Sequence, residues 1–161
     1  MLQRLDVNSI EEGSWLHLLD PEDGEPMYRD PETKLLPCKA QVRSDQSEAV
    51  TLADRKANRV FQEQAQRVSA AKRKEMVDEA TEAGVVRRFS RILVSLENCA
   101  EQKGVVQVSE EDAKAIYTDK SMRWMVNQIF AYAGEQANYA VPRVAAPKGG
   151  AGTKTNASAK A

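Results

Sequence analysis

The sequence has few of the side chains on which catalytic centres and metal sites are most often built. It contains one histidine, His17, and two cysteines, Cys38 and Cys99. The cysteines are far apart in the chain and lack the Cys-x-x-Cys spacing of zinc and redox motifs. No activating base accompanies either cysteine in a recognisable motif. We therefore predict a structural or surface histidine and two free, buried thiols.

The sequence also lacks segments that would direct it to a membrane or bind a nucleotide. No stretch approaches the ~20 apolar residues that span a bilayer, and the N-terminal residues lack the apolar core of a secretory signal. The glycines of residues 148–152 (KGGAG) lie in a low-complexity tail, not between a strand and a helix, so they do not indicate a phosphate loop. We expect a cytoplasmic protein without a cofactor and without enzymatic activity.

Charge is unevenly distributed, although the net charge is only −1. Residues 1–36 carry three basic and nine acidic side chains, a balance of −6. Residues 55–91 carry ten basic and five acidic side chains, a balance of +5, and residues 141–161 carry four basic and no acidic ones. This asymmetry is typical of solvated helix faces, and it would also suit intersubunit pairing or a weak polyanion site.

The first 45 residues predict a small antiparallel β unit. Residues 14–19 (SWLHLL) form a short apolar run, and the DPEDGEP segment after it is a strong turn signal. Residues 34–44 alternate apolar and polar side chains, as a half-buried strand does. The apolar positions of this alternation are Cys38, Ala40 and Val42. Residues 27–32 offer a third strand.

Most of the remaining sequence, residues 46–140, predicts a bundle of about four helices. Apolar side chains recur there at helical spacing, and Gly84 within the pattern predicts a kink or a boundary. Gly104 and the valines after it predict a break and a short extended stretch. Ser109 and Asp112 have the spacing of a capping box, which predicts the start of a helix.

These segments together predict an α+β fold that is mainly α. Residues 1–45 form an N-terminal β hairpin or small sheet, residues 46–140 a helical domain, and residues 141–161 a flexible Gly/Ala/Lys tail.

Residues 119–140 (DKSMRWMVNQIFAYAGEQANYA) combine aromatic side chains with amides. The pattern predicts a packed helix whose Trp124 faces inward, with other side chains left for a partner. The candidate partner-binding residues are Phe130, Tyr132, Tyr139, Gln128 and Met122. The candidate structural residues are Trp124, Trp15, Phe89, Ser109 and Asp112.

A further indication comes from the order of short motifs between about residues 13 and 140. The order begins with a Gly-Ser-Trp strand, an Asp-rich turn and the segment VRSDQSEAV. Basic helices and the segment ILVSLEN follow. After a Gly-centred break come the segments VSEEDAKAIYTD and RWMVNQIFAYAGEQANY. This order resembles the tail assembly chaperones of long-tailed (siphovirus-type) bacteriophages. The positions that carry the resemblance are Leu96, Asn98, Gly104, Ser109, Glu110, Tyr117, Arg123, Trp124, Gln128, Ile129, Phe130, Asn138 and Tyr139. Leu96 departs from the pattern, since many relatives have tryptophan there.

The resemblance implies a non-enzymatic protein of the host cytoplasm. Such a protein binds the tape-measure protein, keeps it soluble and recruits tail-tube subunits. The resemblance also implies self-association into rings or filaments, and a longer product made by ribosomal frameshifting near the APKGGAG segment.

Two other classes of function fit the sequence. One is a structural virion protein, such as a tail-completion or head–tail connector subunit. The other is a basic helical nucleic-acid-binding protein, because RKANR, KRK and RRFSR lie on predicted helices. Interspersed acidic side chains dilute that positive charge, and neither a helix-turn-helix pattern nor an aromatic–basic platform is present. Nucleic acid is therefore the less favoured partner.

Overall fold

The computed structural model describes residues 4–99 and 103–141. In these residues helices and strands are mixed along the chain, so the fold is α+β. The helices are α1 (Val7–Glu12), α2 (Glu48–Ala65), α3 (Ala70–Ile92), α4 (Glu110–Thr118) and α5 (Arg123–Gly134). The strands are β1 (Ser14–His17), β2 (Tyr28–Asp30), β3 (Leu35–Pro37), β4 (Lys39–Val42), β5 (Leu93–Glu97) and β6 (Val105–Gln107). Short 3₁₀ helices at Lys120–Met122 and Gln136–Tyr139 flank α5.

Four strands form one antiparallel sheet in the order β1-β4-β5-β6. One row across it runs from Trp15 to Gln41, then to Ser95 and Gln107. The predicted fold, an N-terminal β hairpin followed by a helical bundle, is therefore wrong. Strand β5 comes from a run predicted to be helical, whereas β6 is the short extended stretch predicted after Gly104. The boundary predicted after residue 45 separates strands that hydrogen-bond to each other.

Strand β5 begins where α3 ends, which explains the error. Leu93 follows the last helical residue, Ile92, and its backbone is extended, with φ −79° and ψ 112°. A short apolar run such as ILVSL fits a buried helix or a buried strand equally well. Pairing with β4 on one side and β6 on the other decides between them, and both partners lie outside the run.

The third strand expected from residues 27–32 is present as β2, but it belongs to a separate two-stranded sheet. Its partner is β3, with Tyr28 opposite Pro37 and Asp30 opposite Leu35. The β2–β3 hairpin is therefore an excursion between β1 and β4, which pair with each other as an antiparallel ladder.

The core forms where one face of the four-stranded sheet packs against α3 and α5, and α4 packs against both of these helices. The alternation predicted for β4 is confirmed, because Cys38, Ala40 and Val42 are all buried. Phe89 of α3 is fully buried, and the rings of Tyr117 and Phe130 lie 5.8 and 5.6 Å from its ring centre. Three helices therefore meet around one phenylalanine.

The start of α4 follows from local capping chemistry. The amide of Asp112 donates to the hydroxyl of Ser109 over 3.1 Å, and this bond satisfies one free amide at the start of α4. Gly84, predicted to mark a kink or boundary, lies inside α3, which continues from Ala70 to Ile92. The predicted boundary is wrong, because a single glycine weakens a helix without ending it.

Cys38 and Cys99 form a disulfide, so the prediction of free thiols is wrong. Their Cα atoms are 5.0 Å apart, which is within the usual range for disulfides. Lys39 of β4 lies opposite Glu97 of β5, and this pairing brings the two cysteines together just beyond the ends of the strands. Spacing in the sequence gave no sign of this proximity.

No helix in the described part of the chain is both long and apolar enough to cross a bilayer.

Candidate functional site

Several candidate partner-binding residues in the segment 119–140 make contacts with other segments of the same chain. The side chain of Gln128 donates to the carbonyl oxygen of Leu19 and accepts from its amide, both over 2.8 Å. Phe130 packs against Phe89, and Met122 is partly buried against the core. These side chains hold α5 to the segment after β1 and to α3, so most of their surface is not free for a partner.

The two tyrosines make similar internal contacts. The hydroxyl of Tyr132 lies 2.8 Å from that of Ser14 and donates to the carbonyl oxygen of Trp15 over 3.2 Å. Tyr139 is only 1% exposed, and its hydroxyl donates to the carbonyl oxygen of Val42 over 3.1 Å. The prediction that Tyr139 contacts a partner is therefore wrong, because its ring belongs to the core.

The candidate structural residues differ in their burial. Phe89 is fully buried, and Trp124 is partly buried against the core. Trp15, however, is 39% exposed on the edge strand β1. Successive side chains of a strand point to opposite faces, so Leu16 packs against the core while Trp15 points away from it.

Burial of Tyr139 makes the stability of the protein depend on pH in the alkaline range. Burial raises the pKa of its hydroxyl, and the nearby Tyr132 and Asp45 raise it further. Below pH ~10 the phenol is neutral in the folded and unfolded states, but above it the unfolded chain ionises first. We therefore expect the free energy of unfolding to fall as pH rises past ~10, by up to about 1.4 kcal/mol per pH unit from this group.

Tyr139→Phe is the variant that isolates this effect. We expect it to lower the free energy of unfolding by about 1–2 kcal/mol at neutral pH, through loss of the hydrogen bond to Val42. The difference in stability between the two proteins should shrink between pH ~9 and ~11. Only the wild type loses stability there, because the tyrosine of its unfolded chain ionises and phenylalanine does not. Urea unfolding of both proteins across this range measures the difference. A constant difference at every pH would contradict the expectation.

A groove of about 780 Å³ lies between α2 and α3 and is the strongest candidate for a binding site. Between residues 51 and 88, which form most of both helices, only Ala65 is buried. The floor and rim of the groove combine small with larger apolar side chains. Those on α2 are Ala53, Ala57, Val60 and Phe61, and those on α3 are Val77, Ala80, Ala83, Gly84 and Val85.

Charge is concentrated in the half of the groove nearer the sheet. Asp54 accepts from Arg87 over 3.3 Å and from Arg88 over 2.8 Å. Lys56 and Arg91 also line this half. This half therefore contains one carboxylate and four cationic side chains, whereas the half farther from the sheet is lined mainly by apolar side chains. The site has an apolar end and a basic end.

The sequence contains a signal for the groove. Ala53, Ala57, Val60 and Phe61 recur at helical spacing and form an apolar stripe on α2, but the structure leaves Val60 44% exposed. Alanine and glycine at matching positions of two antiparallel helices were the more specific signal, because small residues leave room for a further element. Only the pairing of α2 with α3 brings these positions onto one surface.

Replacing Gly84 by alanine is expected to raise the free energy of unfolding by about 0.5–1 kcal/mol. Gly84 is inside α3, and an added Cβ would lie 3.6 Å from the nearest atom, Nη2 of Arg87, which is an ordinary contact. The gain comes from the lower backbone entropy of alanine in the unfolded chain. Urea unfolding measures it, and a loss of stability would show that the backbone at residue 84 does require glycine.

The described part of the chain has no cluster of metal ligands, and its single histidine makes contacts inside the protein. Among residues 4–99 and 103–141, no three His, Cys, Asp or Glu side chains are grouped so that they could hold a metal ion. Nε2 of His17 lies 2.7 Å from the carbonyl oxygen of Met27, and its ring meets that of Tyr28 edge-on. These contacts give His17 a role in joining β1 to the β2–β3 hairpin.

Comparison with protein-family models, curated proteins and solved structures gives no match to this chain. The features that bear on its function are therefore its groove, the charges around the groove, and the order of its sequence motifs.

Proposed function

We propose that this protein is a non-enzymatic chaperone of bacteriophage tail assembly. In this proposal it binds the tape-measure protein in the host cytoplasm, keeps it soluble and recruits tail-tube subunits, and it self-associates while doing so. The groove between α2 and α3 is the proposed client site.

The observation that carries the proposal is the uncovered apolar half of that groove. Val60 and Val77 are 44% and 47% exposed there, and Phe61 is only partly buried. A contiguous apolar surface on a soluble protein often marks an interaction site. Small side chains beside these residues suit a client helix, because they let a third helix approach closely. The order of motifs between about residues 13 and 140 supports the same function independently of the groove.

Co-expression with a long helical tape-measure protein encoded beside this chain tests the proposal. We expect the tape-measure protein to become soluble and to co-purify with this chain. Failure to co-purify, together with no gain in solubility, would refute the proposal. Stoichiometric presence of this chain in purified virions would instead support a structural virion protein, such as a tail-completion or head–tail connector subunit.

The basic end of the groove supports nucleic-acid binding as a second candidate function. Lys56, Arg87, Arg88 and Arg91 lie together there. Binding to phosphates releases counterions, so affinity for DNA should fall steeply as salt rises. Measuring DNA binding between about 50 and 200 mM salt tests this candidate. Negligible binding at the lower concentration would exclude it.

A further inference from the structure

We propose that the groove between α2 and α3 takes one amphipathic helix of a partner protein, with carboxylates at the end of its apolar face that lies nearest the sheet. This inference rests on the proposed function only in taking the groove as the client site. It adds the chemistry of the segment that binds and the direction in which charge is distributed along it.

The shape of the groove favours a helix as its occupant. Its α2 side extends from Ala53 to Gln64, which is about 18 Å at 1.5 Å per residue. A segment of about three helical turns would cover that length. Ala57, Ala80 and Gly84 leave space along the middle of the groove, and Phe61 and Val77 provide apolar contact farther from the sheet. A third helix packed against two antiparallel ones buries these side chains together.

The charges favour carboxylates at one end of that helix. Asp54 is already shared by Arg87 and Arg88. No ion pair to Lys56 or Arg91 is formed within the described residues, and both side chains are exposed. An acidic group at this end of the groove would lie near cationic side chains that have no carboxylate partner among the described residues. Like charges would meet there if the occupant were basic.

The same argument disfavours the protein's own C-terminal segment as the occupant. Residues 141–161 carry four basic side chains and no acidic one. Docking them against Lys56 and Arg91 would bring like charges together. The occupant is therefore assigned to a partner with an acidic, apolar helix.

Two synthetic helical peptides of about 16 residues test the assignment. They share one face of leucine and alanine, and they differ only in carrying glutamates or lysines at one end. We expect the glutamate peptide to bind at least about tenfold more tightly than the lysine peptide at about 0.05 M salt. Fluorescence anisotropy measures both affinities. The preference should narrow at about 0.5 M salt, where exposed charges are screened.

Gly84 offers a matched pair of variants for the apolar part of the groove. Gly84→Ala adds only a Cβ in ordinary contact, and we expect its peptide affinity to stay within about twofold of the wild type. Gly84→Leu places a large side chain in the groove, and we expect affinity to fall at least about tenfold. The helical circular dichroism of both variants should match the wild type, which separates blocking from unfolding.

The basic end is tested by reversing its charge. The double variant Lys56→Glu/Arg91→Glu should prefer the lysine peptide, because its end of the groove becomes acidic. The variant should stay folded, because neither side chain has an ion-pair partner to lose among the described residues. Equal binding of both peptides to the wild type, or wild-type affinity in Gly84→Leu, would overturn the inference. Sedimentation of the protein alone tests whether a second copy occupies the groove. A dimer of the wild type that Gly84→Leu abolishes would identify a second copy as the occupant and would also overturn the inference.

These results separate this inference from the proposed function. If the tape-measure protein co-purifies equally with the wild type and with Gly84→Leu, the chaperone function stands and the groove is not its site. If the glutamate peptide binds as expected but the tape-measure protein does not co-purify, the groove accepts an acidic helix and the proposed function fails.

Discussion

Replacing Phe89 by alanine is expected to lower the free energy of unfolding by about 3–5 kcal/mol. The side chain is fully buried, and the rings of Tyr117 in α4 and Phe130 in α5 pack against it. Truncation removes the apolar ring and leaves a cavity where α3, α4 and α5 meet. A domain has only about 5–15 kcal/mol of stability in total. We therefore expect Tm to fall by about 10–20 °C.

Phe61→Ala is the matched control, because it makes the same chemical change on the surface of the groove. Phe61 is only partly buried, and we expect its truncation to cost less than about 1 kcal/mol. Urea and thermal unfolding measure both variants. A loss in Phe61→Ala as large as that in Phe89→Ala would mean that the groove is covered in solution. A small effect of Phe89→Ala would contradict the arrangement of the core described above.

Reducing the Cys38–Cys99 disulfide is expected to lower the free energy of unfolding by about 2–4 kcal/mol. The bond joins residues with a sequence separation of 61, so it restricts the unfolded chain over a long loop. The folded chain keeps other links at the same place. The side-chain Nδ2 of Asn98 donates to the carbonyl oxygen of Pro37 over 3.1 Å, and its Oδ1 accepts from the backbone amide of Gly104 over 3.0 Å. We therefore expect the reduced protein to remain folded, with a lower stability.

Urea unfolding with and without a thiol reductant measures this effect, and titration of free thiols in the native protein checks the bond directly. The double variant Cys38→Ala/Cys99→Ala is the control, and reductant should leave its stability unchanged. Equal stability of the oxidised and reduced wild-type protein would contradict the expectation. Two titratable thiols in a protein never exposed to reductant would show that the bond does not form.

Some elements of the fold were predictable because their signals are local. The alternation of Cys38, Ala40 and Val42 correctly indicated β4 and its buried face. The short extended stretch expected after Gly104 is present as β6, and Gly104 itself has a φ of 89°, which glycine adopts readily. Turn chemistry and side-chain periodicity act over a few residues, so they can be recognised without knowledge of the rest of the chain.

The segment 119–140 shows where local signals are no longer sufficient. Its composition suggested a helix with one face left for a partner, and α5 is a helix. The contacts of its side chains come from elsewhere, however, because Gln128 bonds to a residue 109 positions away in the sequence and Tyr139 to one 97 positions away. The polar groups of tyrosine and amide side chains can form hydrogen bonds inside the protein as readily as with a partner.

By itself the sequence determined where the chain can turn, which segments alternate as strands do, and which carry charge of one sign. Only the tertiary structure decided that residues 93–97 form a central strand, that two distant cysteines meet, and that the apolar stripe of α2 borders an open groove. The physical reason is the same in each case. Burial and strand pairing depend on the surfaces that distant segments present to one another, and a local pattern shows that a surface is apolar without showing what covers it.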